Sequence, residues 1–129
     1  AIVVLGHSKC GAIKGACDHV EMGNLTELLS KIQPAVYEEN LTLDPSARNS
    51  GNVAFTENVA QLNVRRSVRT IVNRSHVLTG LIEAGSAAII GGMHDLASGK
   101  VTFYTDTPGQ RCGVVASRGA IDKGAADAG

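Results

Sequence analysis

The sequence predicts an α/β fold, a mainly parallel β-sheet flanked by helices. Three observations predict it. An apolar, β-branched run at 1–5 leads through a glycine-bounded loop, GHSKCG (6–11), into a helical stretch, which reads as the opening half of a strand–helix–strand unit. A single helical periodicity then occupies about 52–73. Two further short apolar runs, 87–90 and 101–105, have the length of strands.

Each element has its own local cause. AIVVL is apolar on both faces, so it reads as a parallel strand buried on both sides. It stands at the very start of the sequence, without the neighbours such a strand needs, and a longer chain beginning further upstream is the expectation. A helix follows over about 12–20. Asn24 can cap a second helix, with Glu27 completing a capping-box pattern and Leu25, Leu28, Leu29 and Ile32 at helical spacing. The polar stretch 37–51, with Pro45, Asn49 and Gly51, reads as a loop or broken helix. In the long helix Phe55, Val59 and Leu62 form one stripe and Ala60, Val64, Val68 and Ile71 another, over roughly six turns. Ser75 can cap a shorter helix through Leu78, Leu81 and Ile82, ended by Gly85. LASGK (96–100) offers a turn, so the last two strands are expected to pair as a hairpin. Residues 1–105 therefore form the domain. Beyond Asp106 the composition changes, with five glycines and five alanines in the final 24 residues, so 106–129 is expected to be a tail.

Composition narrows the function. The 129 residues carry 12 basic and 12 acidic side chains, a net charge of zero. Neither a basic stripe for nucleic acid nor a polybasic membrane anchor fits that balance. Aromatics are 3% of the chain, with no Trp, so base-stacking platforms are not expected either. Hydrophobic residues, at 43%, suffice for a core, yet no apolar run approaches the ~20 residues of a membrane span. The start lacks a basic region and is too short for a signal-peptide core. Three cysteines, Cys10, Cys17 and Cys112, are an odd number in a chain that does not require disulfides. A reducing compartment, the cytoplasm by default, is the expected location.

The chemistry concentrates in IVVLGHSKCGAIKGA (2–16). His7 and Cys10 lie three apart in a loop leaving the carboxyl end of a strand, where open α/β sheets bind ligands. Imidazole and thiolate can share one Zn²⁺ ion. The spacing alone also arises without function, and a thiolate–imidazole nucleophilic pair is a further possibility. Gly6-x-x-x-x-Gly11 has the glycine spacing of a phosphate loop, but Ala12 and Ile13 stand where Lys and Ser/Thr are required.

Together with QLNVRRSV (61–68) and IIGGMHDLASGKV (89–101), that segment resembles the β-class carbonic anhydrases, over about residues 1–105. The resemblance implies a zinc enzyme for the reversible hydration of carbon dioxide to bicarbonate. In that family the metal is held by two Cys, one His and a fourth ligand that is water or Asp. His7 and Cys10 match the His-x-x-Cys half. The other half is a Cys-x-Asp-x-Arg motif, upstream in the family and not found in this sequence; neither Cys17 nor Cys112 has Asp and Arg in that register. The resemblance further implies that Gly11, lacking a Cβ, lets substrate approach the backbone, and that the protein assembles as a dimer or tetramer. Two rival readings remain open here. One is hydrolysis of carbonyl sulfide or carbon disulfide on the same scaffold; the other is a non-catalytic zinc-binding or interaction fragment.

The other polar residues have plainer readings. Cys17 is expected to be a small buried hydrophobe, and His19 and His76 to be exposed or capping. Arg65, Arg66, Arg69 and Arg74 are expected to form a solvated helix face or to bridge to a second subunit. His94 is either an ordinary packed histidine or, where relatives often carry Tyr, a proton carrier.

Overall fold

The computed structural model describes residues 1–105; the expected tail, with Cys112, lies outside the described residues. The chain runs β1 (Ile2–His7), α1 (Gly11–Cys17), α2 (Asn24–Ser30), α3 (Gln33–Glu38), a 3-10 turn (Pro45–Ala47), α4 (Val53–Arg74), α5 (His76–Glu83), β2 (Ile89–His94) and β3 (Val101–Phe103). β1 and β2 pair in parallel, from Ile2 opposite Ile89 to His7 opposite His94, and β3 returns antiparallel to β2. Six register pairs are parallel and three antiparallel, so the sheet is mainly parallel as expected, with the expected hairpin at its end. No helix of the described residues is long and apolar enough to cross a membrane.

α4 organises the fold. Asn52 caps it, its side chain accepting from the Phe55 amide at 3.3 Å. Ser75 ends it and also caps α5, accepting from the Leu78 amide at 3.2 Å. Phe55, Val59 and Val68 are fully buried, and the first two join Ile13, Ala16, Leu29, Ala35 and Val36 in the core between α1, α2, α3 and α4. Farther along, Val64 presses on the sheet. A Cβ on Gly6 would stand 2.7 Å from Val64, and one on Gly91 would stand 2.9 Å from it. These two glycines are the space into which the helix fits. They also explain why β2 runs on to His94, past the Ile90 limit read from the sequence. Glycine disfavours strand interiors, but here the missing side chains admit α4.

Two expectations need correction. β1 is half-buried on one face and exposed on the other: Val3 and Leu5 are 50% and 48% exposed, and Phe103 of β3 is 50% exposed. The register places these residues on the sheet face opposite α4, whereas Phe55, Val59, Ala60, Val64 and Val68 of α4 are buried within the chain. The second helix is two short ones. α2 begins at Asn24 with Gly23, at φ 49°, as its cap, and Thr26 Oγ1 accepts from the Met22 amide at 2.8 Å where the Asn24–Glu27 box was expected. Pro34 starts α3, in the first turn where its missing N–H costs nothing. Arg66 and Arg69 both pair with Glu38, at 2.7 and 3.0 Å, with all three side chains partly exposed, so the pairs lie on a solvated face of α4. Arg65 stacks over the Tyr104 ring, 4.2 Å from its centroid.

The polar stretch between α3 and α4 is closed by a knot. Glu39 is buried, and its carboxylate accepts from the Leu41 and Thr42 amides, Asn58 and Arg48. Arg48 also donates to the carbonyls of Val36, Glu39 and Thr42 and stacks over Phe55. Burial alone would push the Glu39 carboxyl up. The hydrogen bonds from Asn58, Thr42 and Leu41 outweigh it and hold the group below the usual glutamate range.

Candidate metal centre

β1 ends on His7, which is exposed on the bare face of the sheet beside its register partner His94. The chain then turns through Lys9, a non-glycine residue at φ 55°, and arrives at Cys10 as the cap residue of α1. The Cys10 carbonyl accepts the first helical bond, from the Lys14 amide at 3.1 Å. Cys10 is a free thiol, half-buried against the core. The two donors thus flank one short turn at the carboxyl end of the parallel strands.

His7 Nδ1 lies 3.0 Å from the Ser8 carbonyl oxygen. A carbonyl only accepts, so Nδ1 carries the hydrogen, and a neutral ring then offers its lone pair at Nε2. This is the arrangement metal-binding histidines ordinarily have, one nitrogen held by a backbone or carboxylate oxygen and the other turned to the metal. Ser8 is itself fixed. Its amide donates to the His94 carbonyl at 2.9 Å, its hydroxyl donates to Asp95 Oδ1 at 3.2 Å, and the same hydroxyl accepts from the Leu96 amide at 2.9 Å. The Asp95 carboxylate also accepts from Ser98 and the Ala97 amide, and these bonds hold it below the usual aspartate range.

Gly11 opens α1 and is exposed; a Cβ there would meet nothing within 4 Å. The described chain places no demand for glycine at this position. Cys17, in contrast, is 1% exposed. Burial, with a smaller push from the neighbouring Asp18 charge, drives its thiol pKa up to about 11, so it remains a neutral packing residue as expected. His19 and His76 are exposed, also as expected.

No group of three or more His, Cys, Asp or Glu among the described residues could hold a metal ion. The donor chemistry of His7 and Cys10, an imidazole and a free thiol, fits two positions of a tetrahedral zinc set. A polar recess lined by Glu38, Arg66, Arg69, Thr70 and Asn73 contains no residue of the 7–11 loop. The sequence reading missed the Ser8–Asp95 tie because it joins residues 87 apart. Its one local sign is the Asp-x-x-Ser-Gly turn at 95–99.

A strand ending in His-x-x-Cys, the glycine-cradled long helix and the closing hairpin define a β-class carbonic anhydrase fold. The carbonic anhydrase family model matches residues 1–101, and the chain belongs to that family. It is 29% identical over 105 residues to a carbonic anhydrase of Mycolicibacterium smegmatis, covering 78% of this chain and 47% of the relative. It is 28% identical over 107 residues to carbonic anhydrase 2 of Mycobacterium tuberculosis, covering 79% and 47%. The chain thus spans about half the length of these curated relatives. Among solved structures, a tetrameric β-carbonic anhydrase from Sordaria macrospora superposes with a TM-score of 0.63 at 24% identity, over 81% of this chain and 52% of that one. The β-carbonic anhydrase CcaA superposes with a TM-score of 0.64 at 18% identity, over 85% and 52%.

Proposed function

We propose that the complete protein catalyses the zinc-dependent, reversible hydration of carbon dioxide to bicarbonate, with His7 and Cys10 as metal ligands. The carrying observation is the coincidence of the family match with an imidazole and a free thiol flanking the turn at the carboxyl end of β1. Zinc, when bound, supplies the Lewis acidity that makes hydroxide available at neutral pH, with a pKa of about 7 known from the three-histidine carbonic anhydrases.

The chain's own residues would orient the ion and leave room for substrate. His7 offers Nε2 because Nδ1 is committed to the Ser8 carbonyl. Cys10 would hold the metal as its thiolate, giving up its thiol proton when the ion is taken up. Gly11 leaves the outer side of the loop open to substrate, its empty Cβ position facing nothing of the described protein. Assembly into a dimer or tetramer suits the bare face of Val3, Leu5 and Phe103, and the free thiols of Cys10 and Cys17 suit a reducing compartment such as the cytoplasm.

The 129 residues by themselves are a weaker case. A catalytic zinc ordinarily has three protein ligands and one open position, and the described residues offer two. Stopped-flow assay of carbon dioxide hydration is expected to find little activity in this chain alone. Activity should appear when a polypeptide bearing the family's Cys-x-Asp-x-Arg motif is supplied, covalently or as a separate chain. Family-level turnover from the 129 residues alone would overturn the two-ligand reading, and failure of the complemented protein would overturn the proposed reaction.

A further inference from the structure

We infer that Ser8 and Asp95 are positioning residues for the metal ligand His7, forming a relay from the β2–β3 turn to the imidazole. The inference rests on the assignment of His7 and Cys10 as ligands.

The observation behind it is that every polar group of Ser8 is used, each for a different part of the relay. Its carbonyl holds His7 Nδ1 at 3.0 Å. Its amide is tied to the His94 carbonyl at 2.9 Å, extending the β1–β2 ladder one step beyond the strand. Its hydroxyl donates to Asp95 Oδ1 and accepts from the Leu96 amide. A backbone carbonyl in a loop is a loose partner for a ring unless the peptide that carries it is held. Here the Ser8 side chain anchors it to a second element.

Asp95 is built to be a rigid anchor. Oδ1 also accepts from the Ala97 amide, Oδ2 accepts from the Ser98 amide and hydroxyl, and the Asp95 backbone bonds Lys100 and Gly99 across the turn. A carboxylate with these partners keeps one orientation, and Ser8 inherits it. The neighbouring Lys9 sits at φ 55°, a conformation that costs a non-glycine residue free energy and needs support from its surroundings. The Ser8 tie supplies that support one residue away.

The relay separates two roles that an ordinary turn would merge. Loss of Ser98 weakens the turn but leaves the Asp95–Ser8 bond. Loss of the Ser8 hydroxyl keeps the Asp95–Ser98 bonds of the turn but removes the side-chain tie between the loop and the turn. Outer partners of metal-ligating histidines commonly carry roughly 10–100-fold in metal affinity, and that is the range expected for Ser8→Ala and Asp95→Ala.

The test is a competition titration of Zn²⁺ against a chromophoric chelator, with Co²⁺ spectra in parallel, on the full chain and its variants. Apo-protein thermal unfolding is measured alongside. Ser8→Ala and Asp95→Ala should lose roughly 10–100-fold in affinity and show an altered Co²⁺ spectrum. Ser8→Thr, which restores a hydroxyl, should recover most of the affinity, and Ser98→Ala should keep it. If Cys10→Ser loses the metal while Ser8→Ala and Asp95→Ala bind as tightly as the parent, the relay is wrong and the ligand assignment stands. If Cys10→Ser itself binds as tightly as the parent, the ligand assignment fails and the relay with it. Equal losses in Ser98→Ala and Asp95→Ala would reduce the effect to turn stability and also refute the relay.

Discussion

Replacing Arg48 with Met should destabilise the protein by about 3 kcal/mol, the low end of the range for breaking a buried ion pair. The substitution keeps an unbranched apolar side chain and removes the guanidinium together with its stacking over Phe55. Glu39, whose side chain is 1% exposed, then loses its cation at 2.8 Å. The carbonyls of Val36, Glu39 and Thr42 lose donors at 2.7, 2.9 and 2.9 Å. Arg48 itself is 25% exposed, so water can reach part of the vacated space; this sets the low end of the range. The Glu39 carboxylate keeps Asn58, Thr42 and Leu41 as donors, which limits the loss further. Against a total stability of about 5–15 kcal/mol for a domain, the change is large enough to read by urea denaturation at pH 7. The double variant Arg48→Met/Glu39→Gln should recover part of the loss, because no uncompensated charge is then left inside. The pH dependence has a definite sign. The folded Glu39 pKa lies below the usual value, so the folded state binds fewer protons than the unfolded one. Its stabilisation is complete above the ordinary glutamate range and is lost as pH falls through the lower folded value. Glu39→Gln should flatten the stability profile in that acid window. An Arg48→Met variant within about 0.5 kcal/mol of the parent, the range of ordinary surface changes, would refute the reading of Glu39 and Arg48 as a coupled buried pair.

Gly91→Ala places a methyl 2.9 Å from Val64 and 3.2 Å from the Tyr104 ring, and should cost about 1–3 kcal/mol in thermal or urea unfolding, as overpacking does; an unchanged midpoint would show that α4 does not lie as close as described. Gly11→Ala meets open space, so its unfolding should be unchanged while carbon dioxide hydration by the complete protein falls. An unchanged rate would remove Gly11 from the proposed site. The bare face of Val3, Leu5 and Phe103 should drive self-association, and sedimentation velocity should show Val3→Ser/Leu5→Ser shifted toward monomer. A monodisperse monomer of the parent chain at micromolar concentration would count against that face as a subunit contact.

Much of this architecture is legible from local pattern because its causes are local. The α4 stripe from Phe55 to Ile71, with Asn52 before it and Ser75 after it, specifies a helix with both ends satisfied. His7 and Cys10 are legible as a donor pair because strand, loop and helix are contiguous in sequence. What escaped depends on partners far along the chain. Gly91 and Gly92 read as a strand end, and only the approach of Val64, 27 residues before Gly91 (91 − 64), turns the first of them into a packing surface. Glu39 and Arg48 read as loop polarity until their shared burial against Phe55 is seen. β1 reads as buried on both faces from composition alone, whereas the described residues half-bury one. The Ser8–Asp95 bond has no periodicity to betray it, since it joins a loop to a turn.

Titration of the apo chain with Co²⁺, a spectroscopic stand-in for zinc, tests the ligand assignment most directly. Because His7 and Cys10 would hold the ion, a thiolate-to-cobalt absorption should grow to one equivalent in the parent chain. It should be largely lost in Cys10→Ser, although Cys17 and Cys112 remain. The same band at full strength in Cys10→Ser would contradict the assignment, because the thiolate on the metal would then come from elsewhere in the chain.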